Sequence, residues 1–414
     1  MRRLSSHDNL NAIINRGNSP YQLGDTTLSV TFIVDELIAE AKAETKLDDF
    51  GQSGFEEGLG VLAETYDQNV TDPKGRARCR GRLVTLLATR LRIEEAFKQI
   101  PEIRDEVIAH PLFVTGLPRS GTSALINLLG AAPDNRPLLQ WECHFPDPWP
   151  GSKQGDEDPR YAPMKAYMEK QKEKNKAFQK IHDASADTPE ECVLLHAYAM
   201  DGVQLGFEIM MEPYGSWAKA HDLTPMYEYF KDLLKMLQWR HPGKQWVLKA
   251  PAHMWAVDVI NNVFPDAKFV WCHRKPIWMI PSICSMNETV MDMYMGPAES
   301  IDKHKLADNV MDWYAESLEI GLTERAKLDE SRFIDCSQEE FANNPMSLLQ
   351  RIYQQFDFEM DDANREAFET HITTHPKGRH GKHVYDLERF GMTEDKINQR
   401  FDFYVNDARW PLSN

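Results

Sequence analysis

No window of this chain reaches the roughly 18 uninterrupted apolar residues that a membrane-crossing helix requires, so no membrane span is expected. Positive charge is also short: 47 Lys and Arg stand against 64 Asp and Glu, for a formal net charge of −17. Nucleic acids and long polyanionic glycans are normally met by basic stripes, so this balance argues against either as a partner. A small anion held by a few local cations stays open. The six cysteines are scattered, with no Cys-x-x-Cys and no paired His spacing. That pattern favours reduced, buried thiols in a cytoplasmic protein over a metal site. Met1 to Asn18 carries Arg2 and Arg3 with no apolar segment behind them, so no secretory signal is expected there. Internal repeats and low-complexity tracts are missing too. What is present is ordinary globular composition, 42% apolar and 27% charged over 414 residues, enough for one large domain or two smaller ones.

The chain is organised around Pro111 to Leu129. Phe113 to Thr115 is a short apolar, β-branched run ending in Gly116, and Ala124 to Leu129 has the composition of a buried helix start. A strand turning tightly into a helix leaves the first backbone N–H groups aimed at one point, where the helix dipole also favours an anion. Gly116, four residues, then Gly121-Thr122-Ser123 follows the nucleotide-triphosphatase phosphate loop, except that Thr122 stands where that motif needs Lys. The cation sits three residues earlier, at Arg119, whose guanidinium can fork onto two oxygens of a phosphate or sulfate. An ordinary Gly-rich turn would explain the glycines alone. It does not account for the intact Pro-Arg-Ser-Gly-Thr.

Before this loop, helices are expected over Thr26 to Lys46, about Phe55 to Gln68, and Gly75 to about Phe97, forming an N-terminal helical extension over residues 1–109. The arginines of the third helix, Arg76 to Arg92, read as a solvated face. Residues 110–414 then read as the catalytic domain. Asp134 to Pro137 looks like a turn, Leu138 to Glu142 a short strand, Pro146 to Pro159 a loop, and Tyr161 to Ile181 a charged helix lying over something as a lid. Thr188-Pro-Glu-Glu191 starts a helix, and Pro225 to Arg240 is another. Gln245 to Lys249 and Ala267 to Cys272 read as buried strands separated by a helix over Met254 to Val263, a parallel crossover unit. One more strand is expected over Arg332 to Asp335. The fold class is α/β, a phosphate-loop-type parallel sheet flanked by helices, with ligands at the carboxyl ends of the strands.

Two strand ends carry charge. One finishes at Lys249 in Leu248-Lys-Ala-Pro-Ala-His253, the other at His273-Arg274-Lys275-Pro276 before a helix holding Ser282. An ATP-hydrolysing enzyme would finish the second strand on Asp to hold a metal ion. Arg274 and Ser282 instead suit a second phosphate, so a doubly phosphorylated nucleotide is expected, with no metal.

Gly-Leu-Pro-Arg-Ser-Gly-Thr-Ser at 116 to 123, together with Arg274-x-Pro276-x5-Ser282, resembles the two cofactor motifs of sulfotransferases that use 3′-phosphoadenosine 5′-phosphosulfate. Trp141-Glu142, Pro189-Glu-Glu-Cys192, Trp246 to His253, Phe264-Pro-Asp-Ala267 and His383-x-Tyr-x-Leu-x-x-Phe-Gly391 look like the bacterial branch of that family. The resemblance implies that Arg119, Ser120, Gly121, Thr122 and Ser123 grip the 5′-phosphosulfate and that Arg274 and Ser282 hold the 3′-phosphate. Lys275 departs from the Asp more usual there, leaving both phosphate ligands in place. Arg379, in the basic stretch Lys377 to Tyr385, lies where family members close a loop over the nucleotide.

Sulfonyl transfer needs a base for the acceptor hydroxyl, donors for the moving charge, and in-line geometry. The resemblance implies Glu142 as the base, against the alternative of a paired structural carboxylate. His253, His144 and His182 are rivals, His253 first because it follows a strand end. Lys249 would neutralise charge on the leaving phosphate, unless it pairs with a structural carboxylate. The acceptor is expected to be a hydroxyl on a small, largely apolar or aromatic molecule, from the Trp, Tyr and Met around Trp141 to Trp149, Tyr214 to Trp217 and Trp278 to Tyr294. Competing readings are a nucleotide kinase, disfavoured by Thr122, and a nucleotide-binding module without turnover. A variation on the same fold would sulfonate the hydroxyl and then eliminate it.

Overall fold

A computed structural model describes residues 30–52, 54–174, 185–202, 206–296, 301–375 and 387–412. Arg379 and its basic stretch, His182, and the far end of the expected lid helix lie outside the described residues. Five parallel strands, β1 (Leu112–Thr115), β2 (Asn135–Pro137), β3 (Gln245–Lys249), β4 (Lys268–His273) and β5 (Phe333–Ser337), form one sheet in the order β2-β3-β1-β4-β5. The expected crossover from β3 to β4 therefore passes over β1, which lies between them. Phe113 of β1 pairs with Leu248 on one side and Phe269 on the other.

Helices cover both faces, so all four β1 residues are buried and the strand reads as a continuous apolar run. Strand periodicity sorts the side chains. Phe113, Leu248, Phe269 and Trp271 face a large cluster, while Val114, Val247, Val270 and Ile334 face a smaller one with Leu125 and Leu129. The large cluster runs without a break into the N-terminal helices α1 (Val34–Thr45), α2 (Phe55–Asn69) and α3 (Pro73–Gln99), through Leu37, Leu59 and Leu87. Helix α3 begins with Pro at its first position, and the Asp72 carboxylate caps it by accepting the Gly75 N–H at 2.7 Å.

The arginines of α3 are not a solvated face. Arg90 is buried and donates to the carbonyls of Phe50, Tyr198 and Gln52. Arg82 donates to the Tyr66 hydroxyl and pairs with the buried Glu208 at 3.2 Å. Packing surrounds this helix on most sides, and a guanidinium can be taken inside when carbonyls and carboxylates saturate its donors.

Helix α4 (Thr122–Leu129) follows the phosphate loop. The next stretch differs from expectation: β2 occupies Asn135–Pro137, where a turn was expected, and Gln140–His144 is a helix, α5, where a strand was expected. As an edge strand, β2 tolerates Pro137. The Glu142 carboxylate turns the chain into α5 by accepting the Leu139 N–H at 3.2 Å. Helix α6 (Tyr161–Lys174) buries Met164 against a small cluster with Trp141 and Phe145. Further on come α7 (Thr224–Arg240), α8 (Val257–Val263), α9 (Pro276–Met295) and α10 (Pro345–Gln355), the last packing Leu348, Leu349 and Ile352 on the smaller cluster. All six cysteines are free and buried. Among the described residues no helix is long and apolar enough to cross a membrane.

Candidate active site

The loop between β1 and α4 takes a shape that most residues refuse. Gly116 has φ 131° and Gly121 φ 106°, and a Cβ on Gly116 would lie 2.3 Å from the Cys272 carbonyl oxygen of β4. Only glycine permits that approach. Arg119, a non-glycine, is also held at positive φ, 71°. Helix α4 starts with no side-chain cap, so its first N–H groups face the loop. Ser120 Oγ is buried there with no hydrogen-bond partner among the described residues.

Both strand-end motifs converge on this loop. Arg119 Nε donates to Ser282 Oγ of α9 at 3.0 Å, and Arg274 Nη1 donates to the Arg119 carbonyl at 2.9 Å. Arg119, expected at the 5′ end with Ser120 to Ser123, thus sends its side chain toward the Arg274 and Ser282 motif. At the end of β3, Lys249 is enclosed and donates from Nζ to Ser123 Oγ at 3.3 Å and to Glu191 Oε1 at 2.7 Å. The side chain of Glu191 is 29% exposed. Its other oxygen has no partner among the described residues.

Glu142 does not join them. Its side chain is 1% exposed, and Arg136 forks onto both oxygens at 2.8 and 2.5 Å. With the Leu139 N–H as a third donor, the carboxylate is fully engaged and faces no opening, so the structural alternative describes its place. His253 is likewise interior. Its Nδ1 bonds the Tyr227 hydroxyl at 2.8 Å, its ring meets Phe113 edge-on at 4.9 Å, and burial holds its pKa well below the usual imidazole value. Burial also lowers the pKa of His144, which bonds Gln140 at 3.3 Å. Trp141 and Tyr214, offered as acceptor-facing aromatics, belong to the core.

Glu191 is the residue that sequence reasoning passed over. Pro189-Glu-Glu-Cys192 registered only as a helix start and a family likeness. The available signal was that two adjacent acids must diverge: the backbone N–H of Glu190 bonds Leu138 and the side chain of Glu190 is buried, while Glu191 reaches the phosphate loop through Lys249.

A sulfotransferase family model matches residues 111–362, more than half of the chain and all of this machinery. The chain belongs to the sulfotransferase family. Its structure is similar to that of sulfotransferase STF1 from Mycobacterium tuberculosis H37Rv, at 30% identity and TM-score 0.79 over 90% of this chain and 99% of that one. STF9 from Mycobacterium avium superposes with a TM-score of 0.81 at 25% identity, covering 94% and 99% of the two chains. In sequence, the omega-hydroxy-beta-dihydromenaquinone-9 sulfotransferase Stf3 of Mycobacterium bovis is 22% identical over 75% of this chain and 79% of its own length.

Proposed function

We propose that this sulfotransferase takes its sulfonate from 3′-phosphoadenosine 5′-phosphosulfate and moves it to a hydroxyl of a small, largely apolar acceptor, with Glu191 as the base. The orphaned Ser120 Oγ, the close approach allowed at Gly116 and the uncapped start of α4 fit an oxyanion in the loop. Arg274 and Ser282 suit the 3′-phosphate, and Arg119 lies between the two groups. The bound donor supplies the activated sulfonate. What carries the assignment of roles is Lys249, which touches both Ser123 of the loop and Glu191.

That contact defines the work of each side chain. The Lys249 ammonium offers charge where the leaving oxygen develops its own. Glu191, half-open beside it, takes the proton of the acceptor hydroxyl. Backbone N–H groups of Gly121 to Ser123 hold the donor in line with that hydroxyl. An apolar acceptor is supported by Trp278, exposed on α9 four residues before Ser282, and by the hydroxylated dihydromenaquinone in the name of the Mycobacterium bovis relative.

Adenosine 3′,5′-bisphosphate without Mg²⁺ is expected to raise the melting temperature by binding linkage, and Arg274→Ala to abolish most of that shift. Stabilisation by ATP with Mg²⁺ and none by the bisphosphate would overturn the donor assignment. A mass-spectrometric screen of cellular extracts for a gain of one SO3 unit identifies the acceptor.

A further inference from the structure

Glu191 sits on a segment that belongs to no strand. Thr188 to Cys192 crosses the carboxyl ends of β2 and β3: the Gln140 N–H donates to the Thr188 carbonyl at 3.0 Å, and Leu139 and Pro189 form a single antiparallel bridge. Without a ladder, each buried amide of such a stretch has to find its own acceptor.

Three successive N–H groups do so. That of Glu190 donates at 2.8 Å to the carbonyl of Leu138, the residue after β2. That of Cys192 donates at 2.9 Å to the carbonyl of Lys249, the last residue of β3. Between them, the Glu191 N–H donates at 2.8 Å to Oε1 of Glu190, the side chain of the residue before it. The Glu191 carbonyl accepts the Leu194 N–H at 3.2 Å, inside the short helix Val193–His196. Glu190 is buried, and a side-chain oxygen that closes a ring onto the next amide fixes the backbone there. The direction in which Glu191 leaves the chain follows from that ring, and it leads to Lys249 Nζ at 2.7 Å.

We propose that Glu190 is a positioning residue, which aims the Glu191 carboxylate at the acceptor hydroxyl by holding the Glu191 amide. The proposal rests on the reading of Glu191 as the base. The bonds to Leu138 and Lys249 pin the segment at two points, on either side of Glu191. A chain pinned at two points can still turn about the line between them, and the Glu190 oxygen supplies the third point that stops the turn. A general base acts only within hydrogen-bond reach of its proton, so that turn decides whether Glu191 is in place.

The test measures turnover with 3′-phosphoadenosine 5′-phosphosulfate and 2-naphthol, a small aromatic hydroxyl of the proposed class. Glu190→Met keeps the length of the side chain without an acceptor, and is expected to lower kcat about 10- to 100-fold, the scale of a misplacement of about 1 Å. Affinity for adenosine 3′,5′-bisphosphate is expected to stay within about twofold. Glu190→Gln, which keeps an acceptor oxygen, is expected to recover kcat to within about threefold of the unaltered protein. Glu190→Ala serves if Glu190→Met fails to fold, with the same loss expected. Because Glu190 acts through Glu191, adding Glu190→Met to Glu191→Gln is expected to cost no more than about twofold further, whereas a general loss of support would cost the same in both backgrounds. Equal costs in the two backgrounds, a parallel loss of nucleotide affinity, or a Glu190→Gln variant as slow as Glu190→Met overturns the proposal. So does a crystal structure of Glu190→Met in which the Glu191 carboxylate still meets Lys249 at its present distance, whatever the acceptor. If Glu190→Met keeps full kcat while Glu191→Gln loses it, the positioning role alone falls. If Glu191→Gln keeps full turnover, the base reading falls and takes the positioning role with it.

Discussion

Two carboxylate and cation pairs lie at opposite ends of β3, and they differ in what is left over. In the first, Arg136 and Glu142 are 9% and 1% exposed, and both carboxylate oxygens are taken by one guanidinium. In the second, Lys249 is 1% exposed but Glu191 is 29% exposed, and the ammonium meets only one of its oxygens. A bidentate fork in the interior saturates a carboxylate and anchors the chain. A point charge at the edge of a cleft holds a carboxylate in place and leaves it able to take a proton. Both pairs set a glutamate against a cation, and what differs is how many of the carboxylate oxygens are taken.

The comparison breaks most visibly in activity. Glu191→Gln is expected to retain binding of the bisphosphate nucleotide and to lose roughly 10²- to 10⁴-fold in kcat, the usual worth of a general base. Full turnover in that variant would hand the proton to another group. Glu142→Gln is expected to act on stability instead. It leaves Arg136 buried without its counter-charge, costing about 3–5 kcal/mol in denaturant unfolding, while folded enzyme keeps kcat within about threefold. Lost turnover with unchanged unfolding would exchange the two assignments.

A third pair sharpens the comparison from between these extremes. His221 and Asp201, 21% and 8% exposed, meet at 2.7 Å, and the hydrogen bond that His221 Nε2 donates to the Asp201 carboxylate raises the His221 pKa above its ordinary value of 6.5. A raised imidazolium contributes stability fully below the unfolded pKa and loses it as pH rises through the folded one. His221→Gln is therefore expected to lower the free energy of unfolding by no more than about 1 kcal/mol at about pH 5.5 and by much less at about pH 8.5. An equal effect at both pH values would assign the contact to stacking on Trp217, whose ring is 4.2 Å away.

What could be read from the residues was whatever the backbone alone dictates. Gly116 and Gly121 announce a loop that only glycine can form, and β3 and β4 announce themselves as apolar runs because helices cover both of their faces. Strand β2 escaped because three polar or proline residues on a sheet edge carry no strand signature. The proposed base escaped for a different reason. Arg136 lies six residues before Glu142, and Lys249 lies 58 residues after Glu191, and neither partnership leaves a periodic mark. The arginines of α3 misled in the same way, since the groups that saturate them lie outside the helix, from Phe50, Gln52 and Tyr66 before it to Tyr198 and Glu208 more than a hundred positions after the arginines they meet.

The contact between Gly116 and the Cys272 carbonyl seats the phosphate loop directly on the strand that leads into Arg274, and Arg274 in turn grasps the loop at Arg119. On the proposed donor assignment, the two ends of the nucleotide would be gripped by parts that rest on one another. Retargeting this enzyme to a donor lacking the 3′ group would mean redesigning both grips together, because relaxing either one alters the seat of the other.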